Sequence, residues 1–258
     1  MNTARETLLV SVADGVAVVT LNRPEQRNAL NVRMCEDLLA AMTALATDDT
    51  VRVVLVRANG PVFCAGADLK ERQGMSSDDV RARRLKGFAA YSAIENLPQP
   101  AIAVVHGATL GSGCEIATAC DFIVASSAAS FRYPEVGWGT VGATQRLPRI
   151  VGTRLAKELL FTGRTVAADE ARAIGLVNHV VAPEELEVAA QELAKKMAAA
   201  PPLALQFTKR CIDQGMETTR AGALAIEIAA IEENLRRSDW KKNIAGFGTA
   251  SKPPESTS

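Results

Sequence analysis

Two glutamates, Glu115 and Glu135, stand in surroundings that suit proton transfer. Glu115 follows a glycine-rich turn at residues 107–113 and begins an apolar run, and Glu135 comes after a short strand-like stretch. A turn that opens into a helix exposes backbone N–H groups, which can stabilise a developing negative charge. Two carboxyl groups beside such N–H groups could move protons next to a polarised carbonyl. The pair therefore indicates acid–base chemistry on a carbonyl compound.

Each glutamate also has a purely structural interpretation. An acid in the first turn of a helix favourably opposes the helix dipole, and Glu135, after Pro134, could be a solvated loop residue. Residues 116–120 are apolar and small, however, and predict a short buried helix. A buried carboxylate needs a partner or a function, and Arg146 is predicted to be an ion-pair partner for a nearby acid.

The glycine-rich turn does not match the common nucleotide-binding or nucleophile motifs. Ile116 replaces the third glycine of a dinucleotide fingerprint, and no Gly-Lys-Ser/Thr follows as in a P-loop. Leu110 occupies the place of the first glycine of a nucleophile elbow. Ser112 is therefore not predicted to be a nucleophile.

A second loop, residues 60–69, is rich in small residues and follows a predicted buried strand. Small residues let a ligand approach the backbone, and free N–H groups there could bind an oxyanion. A plain strand-to-helix connection would have the same composition. Asp68 and Asp121 are interpreted as structural residues that cap or pair with the backbone.

The composition narrows the class of protein. The 258 residues, 48% of them hydrophobic, fit one large domain or a core with a small helical appendage. Twenty-nine basic residues balance 29 acidic ones, so no global charge attracts nucleic acid or an acidic membrane surface. Five cysteines without C-x-x-C spacing predict reduced thiols in a cytoplasmic protein, and two histidines do not favour a zinc site. Neither a signal peptide nor a membrane span is predicted.

The first part of the chain has the alternating pattern of an α/β protein. Residues 8–12 and 16–21 predict a hairpin through Asp14-Gly15, and Asn31 is predicted to cap a helix with Met34, Leu38, Ala41 and Leu45 on one face. Buried strands are predicted at residues 51–56 and 101–105, and a further short strand at residues 122–125.

The helix predicted at residues 76–96 carries two notable groups. Leu85, Phe88, Ala89 and Ser92 share one face, and a basic group is interpreted as the solvated side, with phosphate binding as the alternative. That basic group consists of Arg81, Arg83, Arg84 and Lys86.

After about Gly152 the sequence predicts helices only. They cover residues 169–174, 183–199, 203–214 and 219–235, and the last has an apolar stripe. The stripe consists of Leu224, Ile228, Ile231 and Leu235. The polar, proline-containing tail at residues 251–258 is predicted to be disordered.

Taken together, the motifs resemble those of the crotonase superfamily, also called the enoyl-CoA hydratase/isomerase family. The resemblance covers residues 10–247 and includes segments 21–24, 28–30, 63–69, 106–115 with Asp121, 134–135, 144–148, 161–163 and 168–177. It implies an α/β fold in which ββα units repeat in a spiral, followed by a C-terminal helical trimerisation region. The expected boundaries are residues 1–200 for the core with the active site and residues 201–258 for the helical region and its flexible tail.

The resemblance also implies a reaction on acyl-CoA thioesters without a metal or redox cofactor. It assigns the oxyanion-binding N–H groups to Ala67 and Ser112, and the catalytic carboxyl groups to Glu115 and Glu135. In hydratases of the family both acids are present, whereas isomerases and several other branches commonly keep only one. We therefore expect hydration of a 2-enoyl-CoA to a 3-hydroxyacyl-CoA, or the reverse dehydration. In this scheme Glu115 accepts a proton from water and Glu135 delivers one to C2.

The family pattern further predicts the substrate-binding residues and the assembly. Arg27 and Lys70 are placed near the CoA phosphates, and Phe247 or Lys252 is expected to reach CoA from a neighbouring subunit. The expected substrate contacts are Arg27, Ala29, Ala65, Ala67, Asp68, Leu69, Lys70, Gly111, Trp138, Phe247 and Lys252. A cytoplasmic homotrimer or dimer of trimers is implied, without nucleic acid or membrane as a partner.

One segment departs from the family pattern and keeps other activities open. The loop after Glu135 is three residues shorter than usual and lacks a proline and a glycine. The same fold could then act as an isomerase, a thioester hydrolase or a decarboxylase. An RNA-binding relative is a further alternative, although only residues 81–86 offer a basic surface and no aromatics are interleaved. The acyl group and the pathway are not predicted.

Overall fold

The computed structural model describes residues 2–245, and its elements alternate as in a mixed α/β protein. The strands are β1 (Asn2–Ala4), β2 (Leu8–Ala13), β3 (Val16–Leu21), β4 (Val53–Ala58), β5 (Ala101–Val105), β6 (Ala108–Leu110), β7 (Phe122–Ser126), β8 (Ser130–Arg132), β9 (Thr165–Ala167) and β10 (His179–Val181). The helices are α1 (Val32–Ala46), α2 (Leu69–Arg72), α3 (Ser77–Glu95), α4 (Ser112–Ala119), α5 (Arg146–Val151), α6 (Thr153–Thr162), α7 (Ala168–Ala173), α8 (Leu186–Ala198), α9 (Pro202–Gly215), α10 (Arg220–Arg237) and α11 (Trp240–Ala245). The chain divides into two compact units, Met1–Ala199 and Ala200–Ser258.

The first unit is built on a sheet with the strand order β1-β2-β3-β4-β5-β7-β10. The predicted hairpin is confirmed: β2 and β3 are antiparallel, with positive φ angles at Asp14 (51°) and Gly15 (78°). From β3 to β10 all pairings are parallel, and the central strands β4 and β5 are almost fully buried. Continuous Val- and Ile-rich runs suit strands that are covered on both faces.

A second, smaller sheet corrects the prediction that the chain is only helical after Gly152. Strand β9 pairs with β8 in the sheet β6-β8-β9, and β10 extends the large sheet beside β7. Both are three residues long, too short to show an alternating pattern. Their strand conformation depends on a partner that lies far away in the sequence. The predicted strand at 51–56 is shifted to β4, with Val51 buried just before it.

Helix α1 follows the predicted design. The Asn31 side chain accepts a hydrogen bond from the Met34 amide at 2.9 Å, which caps the helix. All four residues predicted on the inner face are buried: Met34, Leu38, Ala41 and Leu45. Helix α4 begins at Ser112, four residues before the predicted start at Ile116. The glycine-rich segment therefore supplies the first turn of the helix itself.

Helix α3 corrects the expectation about its basic group, and it buries a face other than that of Leu85 and Phe88. Leu85 and Phe88 are 60% and 48% exposed, whereas Ala90 and Tyr91 are buried. The basic group is not one solvated face, because Arg83 is only 6% exposed. Its guanidinium pairs with Glu71 at 3.1 Å and also donates to the Leu30 carbonyl, so its burial is compensated by two partners.

In the second unit, α9 and α10 pack against each other. Thr219 caps α10 by accepting from the Gly222 amide at 3.2 Å, and Arg210 pairs with Glu233 at 3.3 Å. The predicted tail at residues 251–258 lies outside the described residues, as do Phe247 and Lys252. Among residues 2–245, no helix combines the length and apolar character needed to cross a membrane.

Candidate active site

The loop that follows β4 is held against the strand that leads into α4. The Leu110 amide donates to the Cys64 carbonyl at 2.9 Å, and Leu30 forms an isolated parallel bridge with Ala67. Two glycines permit this close approach. A Cβ on Gly113 would lie 2.6 Å from the Cys64 carbonyl oxygen, and Gly66 has a φ of +92°. The sequence therefore brings the 60–69 loop and the start of α4 into direct contact.

The amides of Ala67 and Ser112 are left outside the backbone hydrogen-bond pattern. In the Leu30–Ala67 bridge the bonds run through the neighbours: the Leu30 amide donates to Gly66 and the Asp68 amide donates to Leu30. Ser112 is the first residue of α4, where helical N–H groups have no intrahelical acceptor. Within residues 2–245 neither amide donates to a backbone carbonyl. Both residues line one pocket, so both N–H groups could meet a ligand there.

Glu115 lies one turn into α4 and is held by an arginine. Its side chain is 9% exposed, and Oε2 accepts a hydrogen bond from Arg146 Nη1 at 2.8 Å. Arg146 also donates to Glu95 at 2.6 Å, and its guanidinium lies 5.8 Å from the centre of the Tyr91 ring. The predicted ion pair of Arg146 is thus present, and its partner in the pocket is Glu115. A charge-assisted bond of this kind fixes the carboxylate in place.

Glu135 stands in a different environment. Its Oε1 lies 2.9 Å from the position that a Cβ on Gly111 would occupy, and Gly142 is equally close to its Cγ. Its Oε2 is buried and has no hydrogen-bond partner among the described residues. Burial raises the pKa of the Glu135 carboxyl, the nearby Glu115 raises it further, and Arg84 lowers it. A side chain larger than hydrogen at residue 111 or 142 would displace this carboxyl group.

The two glutamates are therefore in unlike electrostatic surroundings within one pocket. Glu115 has a cation bonded to it, whereas Glu135 is buried without a partner for one oxygen. Pairs of acids whose environments differ in this way can serve as base and acid in one reaction.

A second groove adjoins this pocket and collects most of the residues predicted to bind CoA. It is lined by Arg27, Ala29, Ala65, Ala67, Asp68, Leu69 and Lys70. Ala65, Ala67 and Leu69 line the first pocket as well, so the two spaces are continuous. Gly111 and Trp138 line the first pocket. The predicted contacts Phe247 and Lys252 lie outside the described residues.

Asp68 and Asp121 have the structural roles predicted for them. Asp68 caps α2 by accepting from the Lys70 amide at 3.1 Å, and it pairs with Arg23 at 3.0 Å. Although burial alone would raise its pKa, the Glu71 amide and the Arg23 guanidinium lower it. Asp121 accepts from the Ala101 amide at 2.6 Å. Asp68 therefore shapes the groove through the loop that it holds.

Three further residues line the pocket that the sequence does not assign to it, although Arg84 belongs to the predicted basic group. Arg72, Arg84 and Tyr91 all line the pocket that contains both glutamates. Tyr91 is buried, and burial raises the pKa of its hydroxyl. These residues come from α2 and α3, whose inner faces are set by packing. The only sequence feature that points towards these residues is the charged run at residues 81–86. Among residues 2–245, no cluster of three or more His, Cys, Asp or Glu side chains could hold a metal ion.

Comparisons with known proteins show the family and the fold of the chain. A family model described as enoyl-CoA hydratase/isomerase matches residues 11–254. The short-chain-enoyl-CoA hydratase of Clostridium acetobutylicum is 42% identical over 236 residues, which cover 90% of each chain. The crotonyl-CoA hydratase of Syntrophomonas wolfei is 38% identical over 248 residues, 95% of each chain. A crystal structure of the enoyl-CoA hydratase from Bacillus anthracis superposes with a TM-score of 0.92 at 36% identity, covering 96% of this chain and 98% of that one.

Proposed function

The chain belongs to the enoyl-CoA hydratase/isomerase family of the crotonase superfamily, and from this premise we propose that it hydrates a 2-enoyl-CoA. The product is a 3-hydroxyacyl-CoA, and the reverse dehydration uses the same groups. One observation supports the proposal above all. Glu115 and Glu135, in unlike surroundings, share a pocket with the amides of Ala67 and Ser112, which donate no backbone hydrogen bond among the described residues. The reaction requires acid–base groups and an oxyanion site, and this pocket offers both.

The amides of Ala67 and Ser112 are assigned to the thioester oxygen. When water adds to C3, negative charge moves onto this oxygen and gives it enolate character. Two fixed N–H groups stabilise that charge without reorganising, and loss of one such donor typically lowers the rate by about a hundredfold or more. Ser112 also lies at the N-terminus of α4, where the helix dipole favours negative charge.

Glu115 is assigned as the base and Glu135 as the acid. The bond from Arg146 fixes the Glu115 carboxyl group in place, where it can accept a proton from the attacking water. The raised pKa of Glu135 suits it to carry a proton and to deliver it to C2. These steps need no metal or redox cofactor.

The groove beside the pocket is assigned to the CoA moiety. Arg27 and Lys70 line it and carry the positive charge that phosphate groups require. The amide of Ala67 lies where groove and pocket join, which suits a thioester held at that point. A contribution of Phe247 or Lys252 from a neighbouring subunit remains a prediction of the family pattern.

The test is an assay of substrate classes. Crotonyl-CoA should lose the ultraviolet absorbance of its conjugated thioester and yield 3-hydroxybutyryl-CoA, with no free thiol released. A 3-enoyl-CoA and malonyl-CoA serve as probes for isomerase and decarboxylase activity, and thiol release reports a thioester hydrolase. Isomerisation, decarboxylation or thioester hydrolysis in place of hydration would refute the proposal.

A cytoplasmic homotrimer, or a dimer of two such trimers, is proposed for the assembly. Its support is an apolar stripe on α10 whose side chains are about half exposed in the single chain. The stripe consists of Leu224 (56%), Ile228 (49%), Ile231 (52%) and Leu235 (49%). Contact between subunits would remove these side chains from water.

Introducing a charge into this stripe should weaken the assembly. Ile228→Glu is expected to shift the mass measured by light scattering towards that of one chain, because a carboxylate would be buried without a partner. Ala229→Glu, at an exposed position off the stripe, is the matched control and should leave the mass unchanged. A wild-type protein that is monomeric at micromolar concentration would contradict the proposal outright.

A further inference from the structure

The pocket that contains the two glutamates also contains an unusual concentration of guanidinium groups. Arg72, at the end of α2, and Arg83 and Arg84, on α3, all line it. Arg83 is already compensated, because it pairs with Glu71 at 3.1 Å and donates to the Leu30 carbonyl. The other two arginines need a separate explanation.

Arg72 and Arg84 have no carboxylate partner within salt-bridge distance in the part of the chain that the structure describes. Arg84 donates one hydrogen bond to the Val141 carbonyl in the shortened loop after Glu135. A guanidinium has five N–H donors in a planar fork, so Arg84 keeps most of its hydrogen-bonding capacity. The bond to Val141 fixes the Arg84 guanidinium at the wall of the pocket. Both arginines are half-buried, which strengthens their interaction with an anion.

A hydrocarbon acyl chain gives these arginines nothing to bind. It would instead contact charged groups and remove part of their hydration, which disfavours a purely apolar substrate. A carboxylate has the opposite effect, because it accepts two parallel hydrogen bonds from a guanidinium. Glu135 does not serve as this partner, because no ion pair joins its carboxylate to either arginine among the described residues, and Arg84 acts on it only through space.

We propose that the substrate is a 2-enoyl-CoA whose acyl chain ends in a carboxylate, and that Arg84 and Arg72 bind this carboxylate. The inference rests on the proposed hydration and adds the substrate class. It makes the two arginines determinants of specificity, which bind the substrate but do not themselves transfer protons.

The experiment compares glutaconyl-CoA, which ends in a carboxylate, with 5-methyl-2-hexenoyl-CoA, in which an isopropyl group replaces that carboxylate. The wild type should favour glutaconyl-CoA by about tenfold or more in kcat/KM, since a hydrogen bond to a charged group stabilises a complex by roughly one to two factors of ten. Arg84→Met and Arg72→Met should each reduce this preference about tenfold, mainly through the KM for glutaconyl-CoA. Arg84→Lys should keep part of it.

Arg81→Met is the matched control, because Arg81 is exposed on α3 and does not line the pocket. It should keep the wild-type preference. The proposal fails if the wild type does not favour glutaconyl-CoA, or if both pocket variants keep its preference. It also fails if the variants weaken inhibition by acetyl-CoA as much as they weaken glutaconyl-CoA turnover, since the arginines would then bind CoA phosphates. Absence of hydration with all enoyl-CoA substrates would instead refute the proposed function.

Discussion

Glu115→Gln is expected to lower kcat for crotonyl-CoA hydration by about a thousandfold. A positioned general base typically contributes a factor of about 10² to 10⁴, and the amide of glutamine cannot accept the proton from water. The substitution keeps the size and shape of the side chain. The backbone amides of Ala67 and Ser112 also stay in place, so thioester binding should persist. Initial rates from ultraviolet absorbance and calorimetric binding of acetyl-CoA would separate the two effects.

The control for this prediction must disturb the same ion-pair network while Glu115 stays in the pocket. Glu95→Gln does so, because Glu95 bonds to Arg146 at 2.6 Å but does not line the pocket. We expect less than a tenfold loss for this variant, since Glu115 keeps its own bond to Arg146. Equal losses in both variants would mean that the network only holds the fold, and that Glu115 is not the base.

The elements that the sequence predicts well are those with local signals. The Asp14-Gly15 turn, the Asn31 cap and the strand β5 depend on neighbouring residues, and all three are found where expected. The crotonase-like α/β fold implied by the motifs is confirmed by the superposition on solved hydratases. Strands β9 and β10 could not be predicted in this way, because three residues form a strand only when a distant partner is in place.

The site residues that belong to short continuous sequence motifs could be predicted from the sequence. The Ala67 loop and the Ser112–Glu115 turn meet because small residues permit it, and these motifs are visible in the sequence. The partner of Arg146 and the burial of Arg83 were not predictable. The partner of Arg146 depends on how α4 and α5 meet in the tertiary structure. The burial of Arg83 depends on which face of α3 packs inward, and the charged sequence of that helix favours solvent instead.

Glu135→Gln is expected to lower kcat by a similar factor of about a thousand, for a different reason. Glu135 must carry a proton in order to deliver it to C2, so activity should fall as the pH rises through its pKa. Because burial raises that pKa, the fall should begin at a higher pH than for an exposed glutamate. In Glu135→Gln the residual rate should lose this alkaline limb. A wild-type profile of kcat that is flat across the alkaline range would contradict the assignment.

The same substitution should make the folded protein more stable at neutral pH. At a pH below about 4.3, the ordinary value for glutamate, the carboxyl is protonated in both the folded and the unfolded chain, and it has no pH-dependent effect. Between this pH and the raised folded pKa, the unfolded chain releases the proton and the folded chain retains it, so the wild type loses stability as the pH rises. Glutamine does not titrate, so the melting temperature of Glu135→Gln should exceed that of the wild type by an increasing margin across this window.

Glu184→Gln, which changes an exposed glutamate, is the control and should follow the wild-type curve. A variant that loses activity and gains stability would identify Glu135 as a group held in an unfavourable environment for catalysis, since a residue kept only for the fold would lower stability when removed. If Glu135→Gln is less stable than the wild type at every pH, its carboxyl has partners that compensate its burial. Its assignment as a buried acid without compensating partners would then be wrong.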